Sequence, residues 1–111
     1  MGSIVHIDTG GIPWADYAVD DRAGPPPVRV KALSQRSGGG TPPMQYVEYA
    51  PGHADRVHSH DEGEVFIVTA GELRLGDRVS GPGSVVYIPK GTEYAMQSGD
   101  DGLTFYRIVV P

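Results

Sequence analysis

The chain has 111 residues, enough for one domain with a packed core and too few for a second catalytic domain. Apolar residues make up 39% beside 16 glycines and 10 prolines, a balance that suits a turn-rich all-β domain better than a disordered chain. A net charge of −5 without any lysine or arginine cluster argues against nucleic acid or an anionic membrane as partner, and the absence of cysteine excludes thiolate ligands, disulfides and a cysteine nucleophile.

In chain order, residues 3–7 (SIVHI) read as an edge strand, and GGIPWADY reads as a return across the domain with Trp14 and Tyr17 as apolar anchors. DRAGPPP is a stiff turn, and VRVKALS at 28–34 alternates as a strand. RSGGGTPP cannot continue a ladder, because its glycines and prolines break it. MQYVEYAPG is a strand closed by a turn at Pro51 and Gly52. EVFIVTA opens at Glu64, GELRLG is a short strand ending near Gly76, and RVSGPG turns into SVVYIP. LTFYRIVV is the last strand. No long segment carries a helical apolar period, so the fold class is all-β, a small antiparallel barrel or jelly-roll sandwich with little or no helix. One domain is expected over 1–111, with a core barrel over about 28–110 and an N-terminal strand and turn over 1–27. Without a long apolar run or a signal-peptide pattern, a cytoplasmic protein is expected.

The segment GHADRVHSHDEGEVFIVTAG, residues 52–71, carries the chemistry. On extended backbone side chains alternate faces, so His58 and His60 point the same way and can grip one ion. Glu64 follows a short turn at Asp61–Gly63 and can bring a carboxylate to the same ion. Two imidazoles and a carboxylate with positions left open suit Fe(II), Mn(II), Ni(II) or Zn(II). Imidazole must be neutral to bind a metal, so acid is expected to release the ion. His53, in the preceding turn, and Glu62 are expected to be solvated, and His6 to be structural or exposed. The remaining coordination positions fall to water, to Tyr94 or to substrate oxygens. Tyr94 is a candidate general acid or base, its pKa lowered by a neighbouring cation, or simply an aromatic that packs at the barrel mouth.

These residues resemble a known family. The motif G-x5-H-x-H-x3-E-x6-G of the cupins is filled at every fixed position by Gly52, His58, His60, Glu64 and Gly71. The second cupin motif, G-x5-P-x-G-x2-H, is matched at Gly83, Pro89 and Gly91, with Tyr94 where its histidine belongs. The resemblance covers roughly residues 44–110 and implies a single-domain cupin of the smallest kind, with one divalent metal ion on His58, His60 and Glu64. It also implies a possible homodimer, for which the N-terminal strand is a candidate contact.

In a barrel, parity with the ligands predicts the lining. Glu64 inward implies Phe66 and Val68 inward. On the strand before the motif the choice lies between Gln45, Val47 and Tyr49 and the set Met44, Tyr46 and Glu48, with Tyr46 favoured for the substrate pocket. On the last strand it lies between Phe105, Arg107 and Val109 and the set Tyr106 and Ile108. An inward Arg107 would need an anion such as a substrate carboxylate; outward, it would stand in water. Cupins share a fold far more than a task. The leading expectation is a metalloenzyme acting on a small oxygenated or carbonyl-containing metabolite, as a dioxygenase or a Lewis-acid lyase or isomerase. The alternative is a non-enzymatic small-molecule-binding or sensor cupin whose metal is structural. A metal-free structural cupin comes last, since converging polar donors are costly to bury without a cation.

Overall fold

A computed structural model describes residues 4–17, 26–34 and 41–110. Much of DRAGPPP and of RSGGGTPP, and the first residue of SIVHI, lie outside them. The chain forms a short 3-10 turn, η1 (Thr9–Gly11), and seven strands: β1 (Ala15–Tyr17), β2 (Val28–Ala32), β3 (Met44–Tyr49), β4 (Gly63–Leu75), β5 (Arg78–Ser80), β6 (Val85–Ile88) and β7 (Met96–Val110). All pairings are antiparallel, in the order β1-β2-β3-β7-β4-β5, with β6 added to β4. The all-β antiparallel class read from the alternation is therefore the observed one. Among the described residues no helix is long and apolar enough to cross a membrane.

Three elements differ from the sequence expectation. Residues 4–7 form no strand, because Asp8 accepts a bond from Gly10 N–H at 3.1 Å and turns the chain into η1, so they offer no edge strand for a dimer contact. Tyr17, expected as a buried anchor, is 55% exposed on β1, whereas Trp14 does pack. The expected pair of strands on either side of Gly71 is one continuous β4. It keeps its ladder with β7 through register shifts at Val68/Ala70 and Gly71/Leu73, where bulges absorb the bend that the sequence reads as a break.

Register decides which side chains face the core. Glu64, Phe66 and Val68 on β4 lie opposite Val109, Arg107 and Phe105 on β7, and β7 in turn sets Arg107 and Phe105 opposite Gln45 and Val47 on β3. This face holds the core, with Phe66, Val68, Leu73 and Phe105 almost wholly buried. Phe66 and Phe105 meet edge to face at 5.2 Å, the arrangement aromatic quadrupoles favour. Each such buried side chain contributes about 1.5–3 kcal/mol by removal from water.

Tyr46 is the correction this register imposes. It pairs with Lys31 on β2 and Tyr106 on β7 and stands on the outer face, stacked on Trp14 at 5.4 Å and against Tyr106 at 4.6 Å. Its hydroxyl shares a hydrogen bond with Thr69 at 3.0 Å. Glu48 explains the parity: facing inward it would bury a carboxylate, whereas outward it binds Arg29 at 2.6 Å. Tyr46 shares that face with Glu48 and goes out with it.

Candidate functional site

The segment carrying the histidines is stitched to the second motif by backbone bonds. His58 N–H donates to Tyr94 C=O at 2.9 Å, Tyr94 N–H donates to His58 C=O at 2.8 Å, and Gly91 N–H donates to His60 C=O at 2.8 Å. Exchange of both bonds sets residues 58 and 94 directly opposite each other, so their rings lie side by side with centroids 4.5 Å apart. Val57 and Ser59, on either side of His58, are exposed while His58 and His60 are half-buried, which keeps the alternation expected of H-x-H. His58 and His60 meet at 4.9 Å with their planes at 87°.

Glu64, at the start of β4, is 1% exposed. Its Oε1 accepts the Tyr94 hydroxyl at 2.6 Å, and its Oε2 accepts Arg107 Nε–H. His60 Nε2 lies 3.4 Å from Oε1. Arg107 therefore does stand inside the barrel, and the anion such a position demands is Glu64 of this chain. Its Nη1 also donates to Gln45 Oε1 at 3.3 Å.

Above the buried Glu64, its partners Tyr94, Arg107 and His60 border a cavity of about 660 Å³ whose lining does not include the carboxylate itself. Arg107, His58, His60 and Tyr94 form its polar side, and Phe66 and Phe105 belong to its apolar side. Val68 is buried in the core beneath rather than on the cavity wall, and Tyr46 is absent from it because it lies on the other face of the sheet. A separate depression of about 590 Å³, bordered by Asp16, Arg29, Glu48 and Thr104, holds none of the histidines.

One wall residue, Asp55, escapes a reading of the sequence, and a second, Tyr49, belongs to the β3 set that this reading did not favour. Tyr49 and Asp55 face the cavity, the Tyr49 hydroxyl donating to Asp55 Oδ2 at 2.5 Å. His53, expected in solvent, is 5% exposed: its ring packs edge-on to Tyr49 at 5.0 Å, and its Nε2 lies 3.1 Å from Asp55 Oδ1. Ser98 fixes the turn by accepting His53 N–H at 2.9 Å and donating to Ala50 C=O at 2.6 Å. The only sequence signal was the H-x-D spacing, which puts both side chains on one face. Glu62 and His6 are exposed, as expected.

Burial first, then the hydrogen bond to Glu64, raises the Tyr94 pKa far above the ordinary phenol value. Tyr94 is thus a neutral donor to Glu64. Burial, followed by the charge of Asp55, raises Tyr49 in the same way. In the folded state both hold protons that the unfolded chain releases near pH 10, so their stabilisation is complete below that pH and is lost as pH climbs above it. In an alkaline titration followed by tyrosinate absorbance, we expect these two of the six tyrosines to ionise only as the fold melts. Smooth ionisation of all six with the far-ultraviolet spectrum intact would contradict this.

The donor set fits a divalent ion in kind, and its first pair fits in spacing. Ligands at about 2.0–2.1 Å from a tetrahedral ion stand roughly 3.3 Å apart, close to the 3.4 Å between His60 Nε2 and Glu64 Oε1. A carbonyl can only accept, so His58 Nδ1, 2.8 Å from Arg56 C=O, carries the proton and leaves Nε2 with its lone pair. That backbone contact is the usual support for a metal-binding imidazole. Among the described residues no three His, Asp or Glu side chains already close around a common point. Glu64 is engaged by Tyr94 and Arg107, yet a carboxylate retains further lone pairs on both oxygens.

The family model for the cupin domain matches residues 45–110, more than half of the chain. The chain belongs to the cupin family. Several solved structures share its fold. An RmlC-like cupin protein from Ralstonia eutropha JMP134 is 23% identical, with a TM-score of 0.76 over 96% of this chain and 69% of that one. The polyketide cyclase RemF from Streptomyces resistomycificus is 20% identical, with a TM-score of 0.71 over 98% and 79%. KdgF from a Halomonas species is 17% identical, with a TM-score of 0.70 over 95% and 94%. At these identities the likeness concerns the fold. No curated protein matches this cupin by sequence.

Proposed function

We propose that this cupin binds one divalent metal ion through His58, His60 and Glu64 and acts as a mononuclear metalloenzyme on a small oxygenated or carbonyl-containing metabolite. The observation that carries the reading is the state of the donors: a His58 tautomer with Nε2 free, beside a His60–Glu64 pair at the separation of two ligands of one ion. When bound, Fe(II) would supply dioxygen chemistry, whereas Zn(II), Ni(II) or Mn(II) would polarise a carbonyl as a Lewis acid.

The chain's own residues define the rest of the reading. Phe66, Phe105, Val47 and Met96 give the cavity an apolar wall that excludes water from a small substrate. Arg107 and Gln45 orient polar substrate groups from the β3–β7 side. Tyr94 directs its hydroxyl at Glu64 Oε1 from the polar side of the cavity, which places it as a hydrogen-bond donor beside the metal ligands. A second reading, a non-enzymatic binding or sensor cupin with a structural metal, draws support from Tyr94 standing in the second motif's histidine position and spending its hydroxyl on Glu64.

Elemental analysis of protein purified without chelator, beside a His58→Ala/His60→Ala double variant, tests the metal. About one equivalent of Fe, Mn, Ni or Zn per chain is expected, and none in the variant. Protein that holds no such ion and cannot be loaded with any of the four would end this reading. A loaded protein that binds small carbonyl compounds without turning them over would favour the sensor.

A further inference from the structure

Arg107 is a cation placed where a metal site should want none. Its guanidinium is bound through Nε to Glu64, the only carboxylate among the three donors, and the carboxylate is 1% exposed. A divalent ion drawing on Glu64 Oε1, the oxygen 3.4 Å from His60 Nε2, would therefore meet a positive charge already on Oε2 of the same carboxylate, and the two would repel. Arg107 is not sealed in this position. Its side chain is 24% exposed, it borders the cavity, and Nη2 makes no hydrogen bond among the described residues. The other bond of the fork, to Gln45, is long at 3.3 Å.

Resting on the metal reading above, we propose that Arg107 and the metal ion compete for Glu64, so that metal binding releases the guanidinium to hold a carboxylate anion in the cavity. The substrate class is thereby narrowed to small compounds bearing a carboxylate, which a guanidinium fork matches with two parallel bonds. Of the charged and titratable groups around Arg107, the buried Glu64 is the one it binds; His58, His60 and Tyr94 stand on the same polar side of the cavity, Asp55 is held by Tyr49, and Arg56 is a second cation on the lining. Once the metal takes the charge of Glu64, Arg107 has no other carboxylate bound to it among the described residues. By linkage the effect is reciprocal: the anion, by drawing Arg107 away, tightens metal binding by the same factor.

Zinc titrations by calorimetry, with and without saturating propionate, test this on the wild type, Arg107→Gln and Arg107→Lys. Propionate is expected to tighten zinc binding at least about fivefold in the wild type. In Arg107→Gln, zinc alone should bind about tenfold tighter than in the wild type, with the propionate effect gone. Arg107→Lys keeps a charge for Glu64 and guards against a variant that fails to fold; its weaker, unforked grip should leave a smaller propionate effect. If Arg107→Gln binds zinc no tighter than the wild type, or if its propionate effect persists because the anion ligates the ion itself, the competition is overturned while the metal reading stands. If zinc binds to none of the three, the metal reading falls and this proposal with it.

Discussion

Replacing Glu64 with glutamine should cost the fold about 3 kcal/mol and abolish tight metal uptake. Glutamine keeps the length and volume, so packing between β4 and its neighbours β6 and β7 is undisturbed and the effect isolates charge and hydrogen bonding. The native carboxylate is 1% exposed and accepts from Tyr94 on one oxygen and from Arg107 on the other. An amide has a single acceptor oxygen. With that oxygen on Arg107, its NH2 group turns to the Tyr94 hydroxyl, which can accept as well as donate; in either orientation Arg107 is left without a counter-charge. Breaking a buried ion pair from one side costs about 3–5 kcal/mol, and the 24% exposure of Arg107 lets water offset some of this, which places the estimate at the low end. Urea unfolding near neutral pH, followed by near-ultraviolet circular dichroism, measures the loss. A cost below about 1 kcal/mol would mean that the Glu64–Arg107 pair is solvated in solution and is no structural element of the barrel.

Gly71→Ala should be nearly as damaging for a different reason. Gly71 has φ +74°, a region that costs a residue with a Cβ about 1–2 kcal/mol. A Cβ there would also strike the backbone carbonyl of Gly102 and come within 3.0 Å of Leu103 Cα, neither of them a flexible side-chain end that moves aside cheaply. Gly102 has no room to retreat, since a Cβ on it would lie 2.9 Å from Tyr49 C=O. The β4–β7 crossing is thus closed to a methyl group from both sides, and about 3 kcal/mol or more is expected. Gly52 is the control, with φ +70° and nothing within 4 Å of the added Cβ, so Gly52→Ala should cost only about 1 kcal/mol. Equal shifts in the urea midpoint for the two variants would refute close backbone approach as the reason for glycine at position 71.

The glycines that bracket the first motif are conspicuous in the sequence, but their tasks differ. Gly52 needs only its dihedral angle, whereas Gly71 sits in the middle of one long strand and is required by a neighbour thirty-one positions away, Gly102. A reading along the chain sees a break at Gly71 because glycine ends strands more often than it bends them. His53 shows the same limit. Nothing local distinguishes a turn histidine in water from one packed on Tyr49 and tied to Asp55.

What the sequence by itself determined was the all-β class, the cupin motif and the grouping of His58, His60 and Glu64 as one candidate set, because alternation and motif spacing are local properties of extended backbone. Only the tertiary structure decided the parity of β3, which turned Tyr46 outward and Gln45 inward, and the meeting of Arg107 with Glu64. Both depend on the register of β7 against β3 and β4, and a shift of one residue would have reversed every face. That register is set by which side chains can be buried together across strands distant in sequence: Phe66 with Phe105, and a carboxylate only beside an arginine.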